Sequence, residues 1–221
     1  SALTIGSFDG PHKGHKVLFE HVFNAGKSYG LKKGVFTFTE PLPKFKHKES
    51  YLGHISVFEN RILNFERLGF DFVIVAEFNE DFASISGKDF FDILLSKVNL
   101  KYLAEGKDFK CGSKGLFNAE MISGYAQKRK LKVDFPDLVL TGNVRISSSS
   151  IRQLLKDGDF EKVNGLLCFP FVLNLPAVYE NNGKEHFVYQ KKDFSQVTPS
   201  SGEFFCRVND SVKAKIVFSQ A

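Results

Sequence analysis

Two histidines and three glycines lie close together near the start of the chain, in the run GSFDGPHKGH over residues 6–15. His12 and His15 are three positions apart, so on a helix they project from one face, and both can donate hydrogen bonds to phosphate oxygens as charge builds there. Gly6 and Gly10 permit unusual backbone angles, and Gly14 lets a phosphate approach the free N–H groups at a helix start. The run therefore predicts a nucleotide-phosphate site.

Other interpretations of the histidine pair are open. The two side chains could bind a metal ion, although a third ligand is not evident, or they could cap the helix or face solvent. The HxGH spacing alone does not decide among these.

A second candidate segment is GKDFKCGSKG, over residues 106–115. It combines glycines, an acid, an aromatic residue and cations, so Gly106, Asp108 and Phe109 are candidates to contact a planar, phosphorylated ligand. Because glycine and lysine are common in surface turns, such a segment considered alone is more often a flexible basic loop than a site.

A third candidate segment is RISSSSIR, over residues 145–152. Hydroxyl and N–H groups of Ser148 and Ser149 at a helix start can hold phosphates, and Arg152 can reach one through two hydrogen bonds. The alternative is an ordinary serine cap beside a solvated arginine.

The elements that must position these segments follow an alternating pattern. Short apolar runs alternate with helix-sized segments, which indicates a parallel sheet covered by helices. Ser56 with Glu59 forms a capping-box pattern, Gly69 ends that helix, and Ser86 with Asp89 begins another. The predicted strands cover residues 2–5, 34–38, 71–76, 101–105 and 131–135.

The pattern changes after a last helical stretch that follows the serine run and ends near Leu167. Short β-like runs then occupy residues 172–175, 177–179, 186–190, 204–208 and 214–218, separated by turns rich in Asn, Gly, Pro and Ser. We therefore predict an α/β domain over residues 1–168 and a small β module over residues 169–221.

The overall composition is typical of a folded protein, with 43% hydrophobic and 25% charged residues and a net charge of +5. Basic clusters near residues 44–48 and 107–114 would attract an anionic ligand. We expect no nucleic-acid partner, because no nucleic-acid-binding module is apparent, and no membrane span, because every apolar run is too short. Three widely spaced cysteines and the lack of a signal pattern favour a cytoplasmic location.

Taken together and in this order, the three segments resemble motifs of the adenylyltransferase module of bacterial bifunctional riboflavin kinase/FAD synthetases. The resemblance covers roughly residues 3–168, and its motifs are residues 6–15, 106–109 and 146–152. Residues 78–86 also resemble a family segment between the third strand and the following helix. Three ordered matches are far more specific than one.

The resemblance implies a Rossmann-like HxGH nucleotidyltransferase domain in which the phosphate of FMN attacks ATP, with Mg²⁺, and FAD and pyrophosphate are released. It assigns catalysis to His12, His15 and Arg152, with ATP and FMN as small-molecule substrates. ATP and its phosphates are assigned to Gly6, Phe8, Asp9, Gly10, Gly14, Ser148 and Ser149, and the FMN or adenine side to Gly106, Asp108 and Phe109.

The chain departs from the family in three places. Cys111 stands where an aromatic residue is usual, and residues 39–43 lack a histidine often found there. The C-terminal module lacks the P-T-A-N motif of the riboflavin kinase, so we expect FMN adenylylation without riboflavin phosphorylation, and a β module that packs, stabilises or contacts a partner. The alternatives are another HxGH enzyme, such as a cytidylyltransferase, and a non-catalytic nucleotide- or flavin-binding protein.

Overall fold

The computed structural model describes residues 1–46, 49–137, 140–141, 144–176, 180–181 and 187–219. Its centre is a five-stranded sheet in which all neighbouring strands are parallel. The strands are β1 (Ala2–Ile5), β2 (Lys33–Phe38), β3 (Phe72–Ala76), β4 (Tyr102–Ala104) and β5 (Lys132–Asp134). Their order in the sheet is β3-β2-β1-β4-β5, and all five agree with the predicted strands to within a residue or two.

Eight α-helices are described, and none of them combines the length and the apolar character that crossing a membrane requires. Three of them end at glycines in the left-handed region, namely Gly30, Gly69 and Gly158. The helices are α1 (Lys13–Tyr29), α2 (Leu42–Lys46), α3 (Phe58–Leu68), α4 (Glu80–Ser84), α5 (Gly87–Lys97), α6 (Ala119–Arg129), α7 (Ser148–Asp157) and α8 (Phe160–Leu166).

Helices cover both faces of the sheet. Alternate strand residues point to opposite faces, so each strand contributes apolar side chains to both. On β1, Ala2 packs with Phe19 and Phe65 from α1 and α3, whereas Leu3 packs in a second cluster with Phe91 from α5. This confirms the predicted parallel, helix-covered sheet.

The chain order creates a crevice between β1 and β4. From β1 the chain builds the sheet outward through β2 and β3, then returns to add β4 and β5 on the other side of β1. Ligands of open α/β sheets bind outside the carboxyl ends of the strands at such a reversal.

The last part of the chain contains a β-hairpin, β6 (Gly202–Val208) with β7 (Val212–Phe218). It contacts α8 through Phe204, whose ring lies 4.9 Å from that of Phe160. Upstream of the hairpin, Val197 is buried in a third apolar cluster with Ile55 and Ile151. The domain boundary at residue 168 stays a prediction. This cluster contains described residues from both sides of that boundary, Ile55 and Ile151 before it and Val197 after it.

Two local predictions were wrong. Val57, not Ser56, precedes α3, and no side chain caps that helix. The backbone N–H of Ser56, which a capping box would pair with Glu59, donates to the Asp9 carboxylate instead. Residues 172–175 form no strand, since the carbonyl of Val172 and the N–H of Asn174 bond to the Gln196 side chain instead.

The rest of the C-terminal prediction is partly outside the described residues. The predicted strand at 177–179 and most of the Asn-Asn-Gly turn lie outside the described residues. The strand predicted at 186–190 is observed as Phe187–Val188, and the last two predicted strands are confirmed as β6 and β7.

Candidate active site

A cleft of about 340 Å³ opens at the carboxyl ends of β1 and β4. Residues from all three predicted segments line it, although about 90 positions separate the first segment from the second. Gly10 and Ser149 do not line it. The predicted site residues at the cleft are Gly6, Phe8, Asp9, His12, Gly14, His15, Gly106, Asp108, Phe109, Ser148 and Arg152.

The two histidines stack on each other at the start of α1. Their ring centroids are 3.6 Å apart with an interplanar angle of 18°. His12 has extended backbone angles and precedes the helix, whereas His15 lies in its first turn, so the rings meet although only one residue is helical. The free N–H groups of the α1 N-terminus and both imidazoles therefore share one corner of the cleft.

Close backbone approach explains the glycines of the first segment. A Cβ on Gly14 would lie 3.0 Å from Nδ1 of His12 and 3.1 Å from the carbonyl oxygen of Ile146. A Cβ on Gly10, which has a φ of 66°, would lie 2.4 Å from the Ile55 side chain. Gly14 thus makes room for the His12 ring, and Gly10 lets the loop pack on the residues behind it.

Phe8 supports the site from beneath. It adopts a left-handed φ of 44°, and its ring folds under Gly6, where a Cβ would lie 2.9 Å from Cζ of the ring. The ring is buried and meets His15 edge to face at 5.0 Å. The side chain predicted to contact ATP therefore lies mainly in the core, where it fixes the orientation of His15.

Asp9 and Arg152 form a buried ion pair behind the histidines. The Asp9 carboxylate accepts hydrogen bonds from the backbone N–H groups of Ile55 and Ser56 and from Nη2 of Arg152, the last at 2.5 Å. Nε of Arg152 donates to the carbonyl of Gly53 at 2.8 Å. Arg152 thus joins α7 to the first loop and to residues 53–56, and it presents one edge to the cleft.

A second helix N-terminus faces the same cleft. The side chain of Ser147 accepts from the N–H of Ser150, and Oγ of Ser150 accepts from the N–H of Ser147, a reciprocal cap that begins α7. Ser148 lines the cleft, whereas Ser149 is exposed outside it. The structure therefore offers the N–H groups of two helices to one anion.

The second segment closes another side of the cleft. Phe109 is half-buried there against the apolar cluster that contains Phe117, and Pro41 and Pro43 contribute further apolar surface. Cys111, beside it, is half-buried, and burial raises the pKa of its thiol to about 12. This wall suits a flat, apolar ring, whereas the helix termini suit phosphates.

Sequence reasoning missed Glu105, which lies on the floor of the cleft with 1% of its surface exposed. Burial, together with the nearby Asp108, raises the pKa of its carboxyl well above the usual value, although hydrogen bonds from Ile5 and Thr4 act in the opposite direction. As the last residue of a predicted strand it carried one signal, a charged side chain at the end of an apolar run.

Sequence reasoning also missed Arg61, which is fully buried beneath the first loop. Its Nη1 donates to the carbonyl of Ser7 at 2.9 Å and its Nη2 to that of Thr39 at 2.6 Å, so it joins the loops that follow β1 and β2. The available signal was its position four residues before Phe65, on the apolar face of α3.

A carboxylate and a histidine lie next to this arginine. Glu40 Oε2 is 3.1 Å from Nε2 of His54, and burial lowers the pKa of the His54 imidazole. Neither here nor at any other place in the described part of the chain do three or more His, Cys, Asp or Glu side chains form a group that could hold a metal ion.

Comparison with known proteins identifies the family. Residues 1–150 match the model of the family described as FAD synthetase, and this range contains the first two candidate segments and the start of the third. The chain belongs to the FAD synthetase family.

Curated relatives of this FAD synthetase family member are bifunctional riboflavin kinase/FMN adenylyltransferases. The one from Buchnera aphidicola subsp. Acyrthosiphon pisum is 32% identical over 183 residues, which cover 82% of this chain and 58% of that protein. The one from Escherichia coli K12 is 28% identical, over 80% of this chain and 57% of that protein. This chain thus spans less than three fifths of their length.

A solved structure has the same fold. It is described as the crystal structure of a macrolide-efflux protein from Streptococcus pneumoniae, and it is 26% identical to this chain with a TM-score of 0.74. The superposition covers 93% of this chain and 76% of that one, so it extends beyond the residues that the family model matches.

Proposed function

We propose that this chain transfers the adenylyl group of ATP to FMN, giving FAD and pyrophosphate. The observation that carries the proposal is the cleft itself, in which the stacked His12 and His15 rings and the N-termini of α1 and α7 converge. Family membership and the names of the relatives support it.

In the proposed reaction an oxygen of the FMN phosphate attacks the α-phosphorus of ATP in line. A new P–O bond forms as the bond to the bridging oxygen of pyrophosphate breaks, and that oxygen leaves with the electron pair. His12 and His15 donate hydrogen bonds to the oxygens on which negative charge increases, and the helix N-termini add their N–H groups and dipoles. Catalysis is then positioning and charge stabilisation without a covalent enzyme intermediate.

The other side chains take positioning roles in this proposal. Arg152, already oriented by Asp9, Gly53 and the ring of Tyr51, contacts a phosphate from the edge of the cleft, with Ser148 beside it. Asp108 and Phe109 shape the flavin or adenine side. Gly10 and Ser149 lie outside the cleft, so their contribution is to the shape of the backbone around it.

Mg²⁺ enters the proposal as the partner of ATP, whose triphosphate charge it neutralises. The chain offers no cage of three ligands among its described residues, and Mg²⁺ commonly binds through substrate phosphates and water with few protein ligands. We assign no residue to it. The free thiols of Cys111, Cys168 and Cys206 support a reducing, cytoplasmic location.

The test is chromatography of flavins after the full chain is incubated with ATP, Mg²⁺ and either FMN or riboflavin. FAD formed from FMN supports the proposal, and no FAD from FMN and ATP contradicts it. Conversion of riboflavin to FMN would contradict the further prediction that this chain does not phosphorylate riboflavin.

Two controls separate the alternatives. Replacing ATP by CTP tests for a cytidylyltransferase, which would consume CTP in preference. Measuring pyrophosphate release beside ATP binding tests for a protein that binds nucleotide without turnover.

A further inference from the structure

Glu105 occupies an unusual place in the β1–β4 ladder. The two strands pair in register from Ala2 with Tyr102 to Leu3 with Leu103, and a continued ladder would bring Ile5 opposite Glu105. Instead, the backbone N–H of Ile5 donates to Oε1 of the Glu105 side chain at 2.5 Å. The side chain therefore replaces the backbone of β4 as the partner of β1 where the crevice opens.

The two carboxyl oxygens of Glu105 have different surroundings. The hydrogen bonds from Ile5 and from Thr4 both go to Oε1. Oε2 has no hydrogen-bond partner among the described residues. It is not fully buried either, because it is absent from their set of buried polar atoms without a partner. Since Glu105 lines the cleft and keeps only 1% exposure, this second oxygen is the part of the carboxyl that meets the cleft.

Among the described residues, no cation balances this carboxyl. It forms no ion pair within the described chain, and the charged group among the described residues that raises its pKa is Asp108, which has the same sign. An unpaired carboxylate is costly to bury, so the neutral acid is the favoured form, and burial raises the pKa of Glu105 accordingly. A neutral acid carries a proton, and Oε1 is already an acceptor, which leaves Oε2–H as a donor directed into the cleft.

We propose that Glu105 is a nucleotide-binding residue whose neutral carboxyl donates a hydrogen bond from Oε2 to an acceptor atom of bound ATP. Its position at the reversal between β1 and β4 is where nucleotides bind in open α/β sheets. The inference rests on the proposed use of ATP by this chain, but it adds a residue outside the three motifs.

The experiment measures binding of ATP with Mg²⁺ to the full chain by calorimetry, without FMN. Glu105→Gln keeps a neutral donor and an acceptor of similar shape, whereas Glu105→Met keeps the length and removes both. We expect Glu105→Gln to bind ATP within about twofold of the unsubstituted chain and Glu105→Met to bind it about tenfold more weakly, the effect of one hydrogen bond. Equal affinity of all three proteins would overturn the proposal.

The pH dependence of binding separates a donor from a purely structural residue. The other titratable groups that face the cleft or Glu105 are Asp9, His12, His15, Asp108, Cys111, Asp137 and Arg152. They are common to the unsubstituted chain and Glu105→Gln, so the ratio of their two affinities isolates Glu105.

We expect the unsubstituted chain to lose ATP affinity relative to Glu105→Gln as the pH rises through the raised pKa of Glu105, because the ionised carboxyl can no longer donate. A constant ratio would contradict the proposal, and this comparison also carries the test if Glu105→Met does not fold.

Binding of FMN alone is the matched ligand control. An unchanged FMN affinity in Glu105→Met supports a contact with ATP, whereas weaker FMN binding with unchanged ATP binding would overturn it in favour of a flavin contact. ATP binding is measured without turnover. The chain could therefore fail to make FAD, which would refute the proposed function, while Glu105 still proved to bind ATP.

Discussion

Nη2 of Arg152 lies 2.5 Å from Oδ2 of Asp9, and only 5% and 2% of the two side chains are exposed. This pair joins the first loop of the chain to α7, which lies some 140 positions later. The same carboxylate also accepts the N–H groups of Ile55 and Ser56, so three segments depend on one charged side chain. The position of the histidines relative to α7 follows from this contact.

Removing the arginine should destabilise the whole fold. In Arg152→Met the Asp9 carboxylate stays buried without its cation, so we expect the free energy of unfolding to fall by about 3–5 kcal/mol in urea titrations. Lys156→Met on the exposed face of the same helix is the matched control, with an expected change within about 0.5 kcal/mol. Equal stabilities of the two variants would show that the ion pair has no structural role.

His15→Ala should lower turnover without unfolding the protein. The loss of one donor to the charged transition state costs about 2.7–4 kcal/mol, which corresponds to a kcat for FAD formation about 100- to 1,000-fold lower. His21→Ala, on the same helix but outside the cleft, is the control and should keep its kcat. A folded His15→Ala protein with ordinary turnover would refute the role of this residue.

Two helical glycines should respond in opposite ways to alanine. Gly14→Ala places a methyl group 3.0 Å from the His12 ring, so we expect kcat to fall about tenfold to a hundredfold as the ring is displaced. Gly124→Ala meets nothing within 4 Å and should raise the free energy of unfolding by about 0.5–1 kcal/mol with unchanged turnover. If Gly14→Ala kept full activity, the stacked histidine geometry would not matter for catalysis.

The stability of the chain should depend on pH through Glu105. Its pKa is raised in the folded protein, so above the ordinary glutamate pKa the folded state binds a proton that the unfolded state has lost. Stability therefore falls as pH rises towards the raised pKa. From about pH 5 to about pH 8, urea titrations should show the unsubstituted chain losing stability relative to Glu105→Gln. If the difference in free energy of unfolding between the two proteins were the same at both pH values, the raised pKa of Glu105 would be contradicted.

Local sequence signals predicted the sheet well. The runs that became β1, β2 and β4 are short and largely apolar, as expected of parallel strands buried on both faces, and helix-sized segments separate them. The start of α5 at Ser86 was equally predictable, because its cap is formed with Asp89, only three positions away.

Long-range contacts explain what the sequence did not show. Ser56 has the residue type of a helix cap, but its N–H is used by Asp9, 47 positions earlier. The burial of Glu105 depends on Ile5, 100 positions earlier, and no local pattern indicates such a partner. The motif residues were found because they are adjacent in sequence, whereas the groups that hold them in place come from distant segments.

The contact between Gln196 and Ile55 has a consequence for the order in which the protein is made. Nε2 of Gln196 donates to the carbonyl of Ile55 at 3.0 Å, across 141 positions, and the N–H of Val197 bonds to the carbonyl of His54. During synthesis at about 5–20 residues per second, Ile55 waits on the order of ten to thirty seconds for this partner. The loop that supports Asp9 is therefore completed only when nearly all of these residues have left the ribosome, so the nascent chain carries the histidine motif early but acquires a finished site late.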